Sequence, residues 1–150
     1  MIRFFFIGLL ICFSCVSPNK LTVSKPDFPL ITMRRTACFG TCPQYTISIY
    51  DDGTINYEGK LFVEKIGNFH SNIPVSLVQK IKSKLEEINF FSFKEQYDSP
   101  ITDVPSVIIQ VSINGKTHKV IDRFRGPNEL KYFQNFIDSI SESVIDWDKL

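Results

Sequence analysis

One segment in the last third of the chain limits the possible folds more than any other. Two predicted strands, Val107–Ile113 and Lys116–Ile121, flank the dipeptide Asn114-Gly115. Asn-Gly between such strands favours a two-residue turn with both central residues at positive φ, which closes an antiparallel hairpin. Because the turn fixes the register, it predicts these cross-strand pairs: Val111 with His118, Ile109 with Val120 and Ile108 with Ile121.

A second hairpin is predicted around Asp51-Asp52-Gly53, where apolar and polar residues alternate across residues 45–57. A strict two-residue turn would set Ile49 opposite Asn56. A three-residue loop with Gly53 in the left-handed region keeps the apolar faces together, so we prefer that loop. It predicts these pairs: Ile49 with Ile55 and Ile47 with Tyr57.

Two later segments have the spacing of amphipathic helices. The first follows Pro74 and the second follows Gly126-Pro127, where proline suits the first helical turn. Further strands are predicted at residues 61–63 and near Phe69. The order of strands, helix, hairpin and helix predicts an α+β fold, with an antiparallel sheet of about five strands and two helices packed on one face. The apolar stripes of the helices are Val78, Ile81, Leu85, Ile88 and Leu130, Phe133, Ile137, Ile140, Val144.

The N-terminus carries an export signal. Arg3 precedes about ten apolar residues, which is too short a run for a membrane-spanning helix but typical of a signal peptide. The run ends at Ser14-Cys15, which resembles the lipobox of bacterial lipoproteins, whose cysteine becomes the acylated first residue. We expect cleavage before Cys15 and acylation there, with palmitate among the chains. Cys12 is the alternative, but Ile11 before it is not small.

These signals divide the chain into a signal peptide (1–14), an acylated cysteine with a tether (15–29) and one domain (30–150). The tether contains three prolines, which favour an extended linker over a helix or strand. Removing residues 1–14 removes one basic residue and no acid, so 17 basic residues become 16 against 16 acids. We therefore expect a neutral domain, held in the cell envelope by lipid, facing the periplasm, and able to meet an envelope protein partner.

Several function classes are disfavoured by composition and motifs. A net charge of +1 provides no field for nucleic acid, and two histidines leave little material for a histidine-based site. The sequence has no nucleophile elbow, phosphate-binding glycine loop or metalloprotease helix. We therefore expect a non-enzymatic binding or structural domain with no cofactor.

Cys38 and Cys42 form the one dense local motif, in Cys-Phe-Gly-Thr-Cys-Pro. An exported chain meets an oxidising compartment, where such a pair normally becomes a disulfide, and Gly40 permits the tight turn. A reducible thiol pair for thiol–disulfide exchange is the second interpretation. A copper site is the third, because two thiolates suit Cu(I).

The copper interpretation has a partial resemblance behind it. Cys-x₃-Cys-Pro is similar to the motif of Sco-type copper-delivery proteins, which are membrane-anchored and add a histidine ligand. That resemblance makes Cys38, Cys42 and His118 the alternative metal ligands, with His70 as the other histidine. In that family, however, the motif leads into a helix of a thioredoxin-like fold, whereas here Tyr45 begins a predicted strand.

A wider resemblance covers residues 30–147. The segment Arg35–Ile49, then Asp52-Gly53, Tyr57-Glu58-Gly59 and Ile101-Thr102-Asp103, resembles the bacterial family of domain of unknown function 6438. The resemblance implies an exported, often lipid-anchored α+β domain with no assigned activity, and it supplies no catalytic residue.

Four residues remain candidates for binding: Arg35, Phe39, Tyr45 and Asp103. Asp103 is expected to form a turn, with an ion pair to Arg35 as the alternative. A converging anion site is the less favoured hypothesis for the arginines, which we expect to be scattered surface charges. These are Arg34, Arg35, Arg123 and Arg125.

Overall fold

The computed structural model describes residues 28–150, which form one eight-stranded mixed sheet, two α-helices and a short 3₁₀ helix at Phe90–Ser92. The strand order is β5-β7-β6-β1-β2-β3-β4-β8. The predicted signal peptide, Cys12, Cys15 and nearly all of the predicted tether lie outside the described residues. The strands are β1 Ile31–Arg35, β2 Gln44–Ile49, β3 Thr54–Leu61, β4 Gly67–Asn72, β5 Gln96–Tyr97, β6 Val107–Ile113, β7 Lys116–Asp122 and β8 Asp148–Lys149; the helices are α1 Val75–Glu87 and α2 Asn128–Ser143.

Both predicted hairpin registers are confirmed. Ile49 pairs with Ile55 and Ile47 with Tyr57 across a loop in which Gly53 has φ +90°. A side chain at Gly53 would meet the carbonyl oxygen of Ile73 at 2.4 Å. The turn therefore requires glycine both for its positive φ and for lack of space. In the β6–β7 hairpin Val111 pairs with His118, and the other two predicted pairs are also present.

The predicted sheet of about five antiparallel strands is wrong. The sheet has eight strands, and β5 pairs in parallel with β7, so the domain is more sheet-dominated than expected and its sheet is mixed. The prediction missed β1, β5 and β8. The last two are two residues long, which is too short for any alternation to appear. Only Ile31 and Met33 supply the apolar pattern of β1, although this strand lies between β6 and β2.

One face of the sheet builds the core. Inward residues alternate along the strands, as Ile31 and Met33 do in β1, and they pack with both helical stripes in one buried cluster. The stripe residues Val78, Ile81, Leu85, Leu130, Phe133, Ile137 and Ile140 are all buried. Within residues 28–150, neither helix is long and apolar enough to cross a membrane.

Candidate functional site

Asp138, in the middle of α2, binds two side chains from the sheet. Its Oδ1 accepts a hydrogen bond from the Tyr45 hydroxyl at 2.6 Å. Its Oδ2 accepts from Arg35 Nε at 3.1 Å and forms an ion pair with Arg35 Nη2. We call these three residues the Asp138 cluster. It fixes helix α2 against strands β1 and β2.

The local sequence explains why Arg35 and Tyr45 reach the same carboxylate. Arg35 is the last residue of β1, and the antiparallel register sets it directly opposite Tyr45 in β2. Directly opposite residues project from the same face of a sheet, with their Cβ atoms about 5 Å apart. A single acceptor on the helix above can therefore bind both.

Arg35 and Tyr45 hold their protons strongly. Burial opposes the charge of Arg35, but the hydrogen bond and negative charge of Asp138 outweigh it and raise the pKa of the guanidinium. Burial, with the hydrogen bond to Asp138 and its charge, raises the pKa of Tyr45 well above the usual value of a phenol. Tyr45 therefore stays a neutral donor, and the Asp138 carboxylate is already engaged, so the cluster is suited to binding more than to proton transfer.

A groove of about 400 Å³ opens beside the Asp138 cluster. Its floor includes Tyr45 and Tyr57, whose rings stack with centroids 5.6 Å apart and planes inclined by 25°. Burial, then the negative charges of Asp138 and Glu64, raises the pKa of Tyr57. The volume lies in the range of small-ligand sites, and aromatic faces with a few polar groups are typical of such sites. Other lining residues are Pro43, Ile47, Phe62, Val63, Lys65, Ser141 and Glu142.

The loop of residues 36–43, between Arg35 and the start of β2, contains the disulfide Cys38–Cys42, with Cα atoms 5.7 Å apart. The Gly40 amide donates to Cys38 Sγ at 3.3 Å. We call residues 36–43 the cystine loop. Phe39 lies at its apex with 90% of its surface exposed. The bridge thus shortens the connection between the two sheet residues that bind Asp138.

The predicted binding residues do not all come together. Arg35 and Tyr45 belong to the Asp138 cluster, and Phe39 lies apart from it on the cystine loop. Asp103 is exposed in an irregular loop with φ +67°. Its suggested ion pair with Arg35 is wrong, because the acidic partner of Arg35 is Asp138.

The copper alternative does not fit the geometry. His118 pairs with Val111, which pairs with Ile31, so it lies at the opposite end of β1 from the cystine loop. Its Nε2 binds the carbonyl oxygen of Phe93 at 2.9 Å. His70 lies in β4, beside Asp148. Within residues 28–150 no group of three or more His, Cys, Asp or Glu side chains is arranged to hold a metal ion.

Three of the four arginines are engaged separately. Arg123 lies 3.6 Å from Asp98 and donates to the carbonyl oxygen of Ile101. The guanidinium of Arg125 lies over the ring of Phe124. Because Arg35 binds Asp138, these side chains do not form the converging anion site that was the less favoured hypothesis.

Sequence reasoning missed Asp138 and the role of Tyr57. A signal for Asp138 existed: three polar residues, Gln134, Asp138 and Ser141, recur at helical spacing beside the apolar stripe of α2. All three are buried or half-buried. A polar stripe on the inner side of an amphipathic helix indicates partners on the facing sheet.

Gln134 belongs to a second polar cluster on α2. Its Nε2 donates to Asp122 Oδ2 at 3.0 Å, and the Gly126 amide donates to Asp122 Oδ1 at 3.1 Å. Asp122 and Gln134 are both buried. A side chain at Gly126 would lie 2.4 Å from the Asp122 carboxylate, so this close approach requires glycine. We call these three residues the Asp122 cluster.

Comparison with known proteins identifies one family. A family profile described as a domain of unknown function (DUF6438) matches residues 29–141, which is more than half of the chain. The match includes the Asp138 cluster, the Asp122 cluster and both cysteines of the disulfide. A search of curated proteins gave no significant match.

Proposed function

The chain belongs to the DUF6438 family, whose description assigns no activity, and we propose that it is a lipid-anchored lipoprotein of the cell envelope with a non-enzymatic binding domain. The groove beside the Asp138 cluster carries this proposal. Its stacked tyrosines offer an aromatic surface, and its carboxylates, Lys65 and Ser141 offer polar contacts along the lining. A binding site benefits from such a preformed shape, because little side-chain entropy is then lost on binding.

The disulfide supports an exported location. Such bonds persist in oxidising compartments such as the bacterial periplasm, and they are rare in the cytosol. The N-terminal apolar run and the Ser14-Cys15 junction supply the export signal and the acylation site. Two or more acyl chains hold a protein firmly on a membrane. We therefore propose two partners: membrane lipid, attached at Cys15, and a ligand from the cell envelope, bound in the groove.

Intact-mass measurement of protein extracted from its own membrane tests the anchor. We expect a chain that starts at Cys15 and carries acyl groups. Cys15→Ala should abolish acylation, whereas the matched variant Cys12→Ala should keep it. If acylation were lost with Cys12→Ala and kept with Cys15→Ala, the anchor would be at Cys12 and not at Cys15. An uncleaved, unacylated chain would refute the proposal that the protein is a lipoprotein.

Native mass spectrometry of the same extract tests the groove. Glu142 is exposed at the rim, so Glu142→Trp should obstruct the groove without disturbing the core. Glu87→Trp places the same side chain at an exposed position of α1 and serves as the control. We expect a bound species with the wild type and Glu87→Trp, and none with Glu142→Trp. A species that all three retain, or its absence from the wild type, would contradict binding in this groove.

A thiol–disulfide exchange factor is the second candidate, favoured by the position of the disulfide in an exposed loop. Phe39, Gly40 and Thr41 between the cysteines are all exposed, so another protein could approach the bond. An incoming thiolate would attack one sulfur and release the other as a thiolate. A reduction potential below about −300 mV would mark the bond as structural and would exclude this candidate.

A further inference from the structure

Four large apolar side chains are exposed at one end of the sheet: Phe39 at 90%, Leu61 and Phe62 at 52% each, and Ile66 at 53%. We call them the apolar tip. Phe39 comes from the cystine loop, and the other three come from the end of β3 and the turn before β4. Single exposed apolar residues are ordinary on protein surfaces, but several at the same end of a sheet point to an interaction site.

The sheet register brings these two loops together. Gln44, directly after the cystine loop, pairs with Leu61, directly before the turn. Pro43 of the loop and Phe62 of the turn also line the same groove. Phe62 has φ +57°, an uncommon conformation for an aromatic residue, and such conformations cluster at functional positions.

Basic side chains border the apolar tip. In the segment Lys60-Leu61-Phe62-Val63-Glu64-Lys65-Ile66, Lys60 precedes Leu61 and Lys65 precedes Ile66, and both lysines can extend their apolar stems along a lipid surface. Arg34 is exposed at the same end of β1. Lys60 forms an exposed ion pair with Glu58, and Glu64 lies beside Lys65, so the excess of positive charge is small. Aromatic and aliphatic side chains bordered by lysines are typical of segments that enter the membrane interface.

We propose that the apolar tip is a second membrane contact, which enters the interfacial region of a lipid bilayer. The proposal rests on the proposed lipid anchor for its local concentration, because a tip of four side chains binds a bilayer only weakly by itself. Tethering converts such weak binding into an intramolecular step with an effective concentration in the millimolar range.

The tether is long enough for this arrangement. It joins the domain at Phe28, near the end of β1 opposite to Arg35, because Leu30 accepts a hydrogen bond from Ser112 and Ile31 pairs with Val111. The eight residues of β3 span about 26 Å along the sheet. The thirteen residue steps from Cys15 to Phe28 reach about 45 Å when extended. The chain can therefore run back along the domain while the tip meets the same membrane.

Vesicle sedimentation with residues 16–150 tests the tip without the acyl anchor. All of the buried core lies between Leu30 and Ile140, so this segment contains the whole described fold, and circular dichroism checks that each variant is folded. The probe is a vesicle of phosphatidylethanolamine and phosphatidylglycerol. We expect weak binding at millimolar lipid, with only a modest loss in vesicles that lack phosphatidylglycerol.

The variant pair Phe39→Ser and Ile66→Ser removes two members of the tip that do not line the groove. Combined, they should lower the coefficient for partition into the vesicles about tenfold or more, because two apolar side chains are then no longer partly buried in the bilayer. Ile145→Ser, at a position 92% exposed, and Tyr132→Ser, at 73%, serve as controls and should bind like the wild type.

Absence of wild-type binding at millimolar lipid, or an equal loss with Ile145→Ser, would overturn the proposal. Native mass spectrometry of the Phe39→Ser/Ile66→Ser double variant shows whether the groove is still occupied. If it is, a loss of vesicle binding belongs to the tip and not to the groove. If the tip variants lose the groove-bound species and leave vesicle binding unchanged, the tip contacts that ligand and the membrane proposal is wrong.

Discussion

Asp122 and Asp138 both fix helix α2 to the sheet, but they do so in different surroundings. Asp122 is buried, and its two acceptor atoms are used by Gln134 and the Gly126 amide. Asp138 lines an open groove, and its partners Arg35 and Tyr45 are only partly buried. The two clusters lie about one helical turn apart on the same face of α2.

The difference separates a structural role for the Asp122 cluster from the binding role that we propose for the Asp138 cluster. A buried carboxylate that loses its partners incurs the full cost of desolvation, so its cluster stabilises the fold. A carboxylate at a groove keeps water nearby, and its loss is partly compensated by hydration. The Asp138 cluster therefore contributes less to stability than the Asp122 cluster, and more to the shape of the groove.

The largest effect is expected from Asp122→Ala. The change leaves Gln134 and the Gly126 amide buried without an acceptor, and it should lower the free energy of unfolding by about 3 kcal/mol. Urea denaturation followed by circular dichroism measures this. Gln134→Ala, which leaves one contact to Asp122 in place, should cost less. If Asp122→Ala proves no more destabilising than Asp138→Ala, the distinction between the clusters fails.

Loss of the disulfide is expected to have the next largest effect on stability. Closing a loop of about five residues contributes about 2 kcal/mol through loss of chain entropy in the unfolded state. Cys38→Ser combined with Cys42→Ser should lower the free energy of unfolding by that amount and loosen the ends of β1 and β2. Hydrogen exchange should then speed up at Tyr45 but not at the Asp122 cluster. Uniform acceleration at both sites would show that the bridge acts on the whole fold.

Asp138→Ala should cost about 1.5 kcal/mol, because Arg35 and Tyr45 regain hydration when their shared acceptor is removed. Its main consequence should be loss of the groove-bound species. Asp138→Asn keeps an acceptor without the charge and should retain part of the occupancy. Native mass spectrometry together with urea denaturation compares the two variants. Full occupancy in Asp138→Ala would remove the cluster from the binding site.

The two clusters also show which features of this protein were predictable. The Asn114-Gly115 and Gly53 turns fixed two registers, because turn chemistry is local. The Asp138 cluster joins residues up to 103 positions apart, and no local pattern pairs Arg35 with a particular acid. The same limit applies to β5 and β8, whose pairing depends on the neighbouring strands already being in place. The polar spacing of Gln134 and Asp138 marked the inner side of α2 without identifying the partners.

The smallest effect at neutral pH is expected from Tyr45→Phe, and it should depend on pH. Loss of one half-buried hydrogen bond costs about 0.5 kcal/mol. Above pH about 10 the phenol of the unfolded chain ionises, whereas the raised pKa keeps Tyr45 protonated in the folded chain. The folded protein then binds more protons, so its free energy of unfolding falls as pH rises. The wild type should thus lose stability more steeply than Tyr45→Phe from pH about 10 upward, through the raised pKa of Tyr45.

Urea denaturation at a series of alkaline pH values measures this difference. Tyr132→Phe, which removes an exposed phenol from the outer side of α2, should follow the wild-type curve. Parallel curves for wild type and Tyr45→Phe would mean that the phenol ionises as readily in the folded chain as in the unfolded one. The hydrogen bond to Asp138 would then not hold the proton of Tyr45, and Asp138 would be fixed by Arg35 alone. A steeper wild-type curve would instead establish Tyr45 as a fixed donor, which is the state that the proposed binding role of this cluster requires.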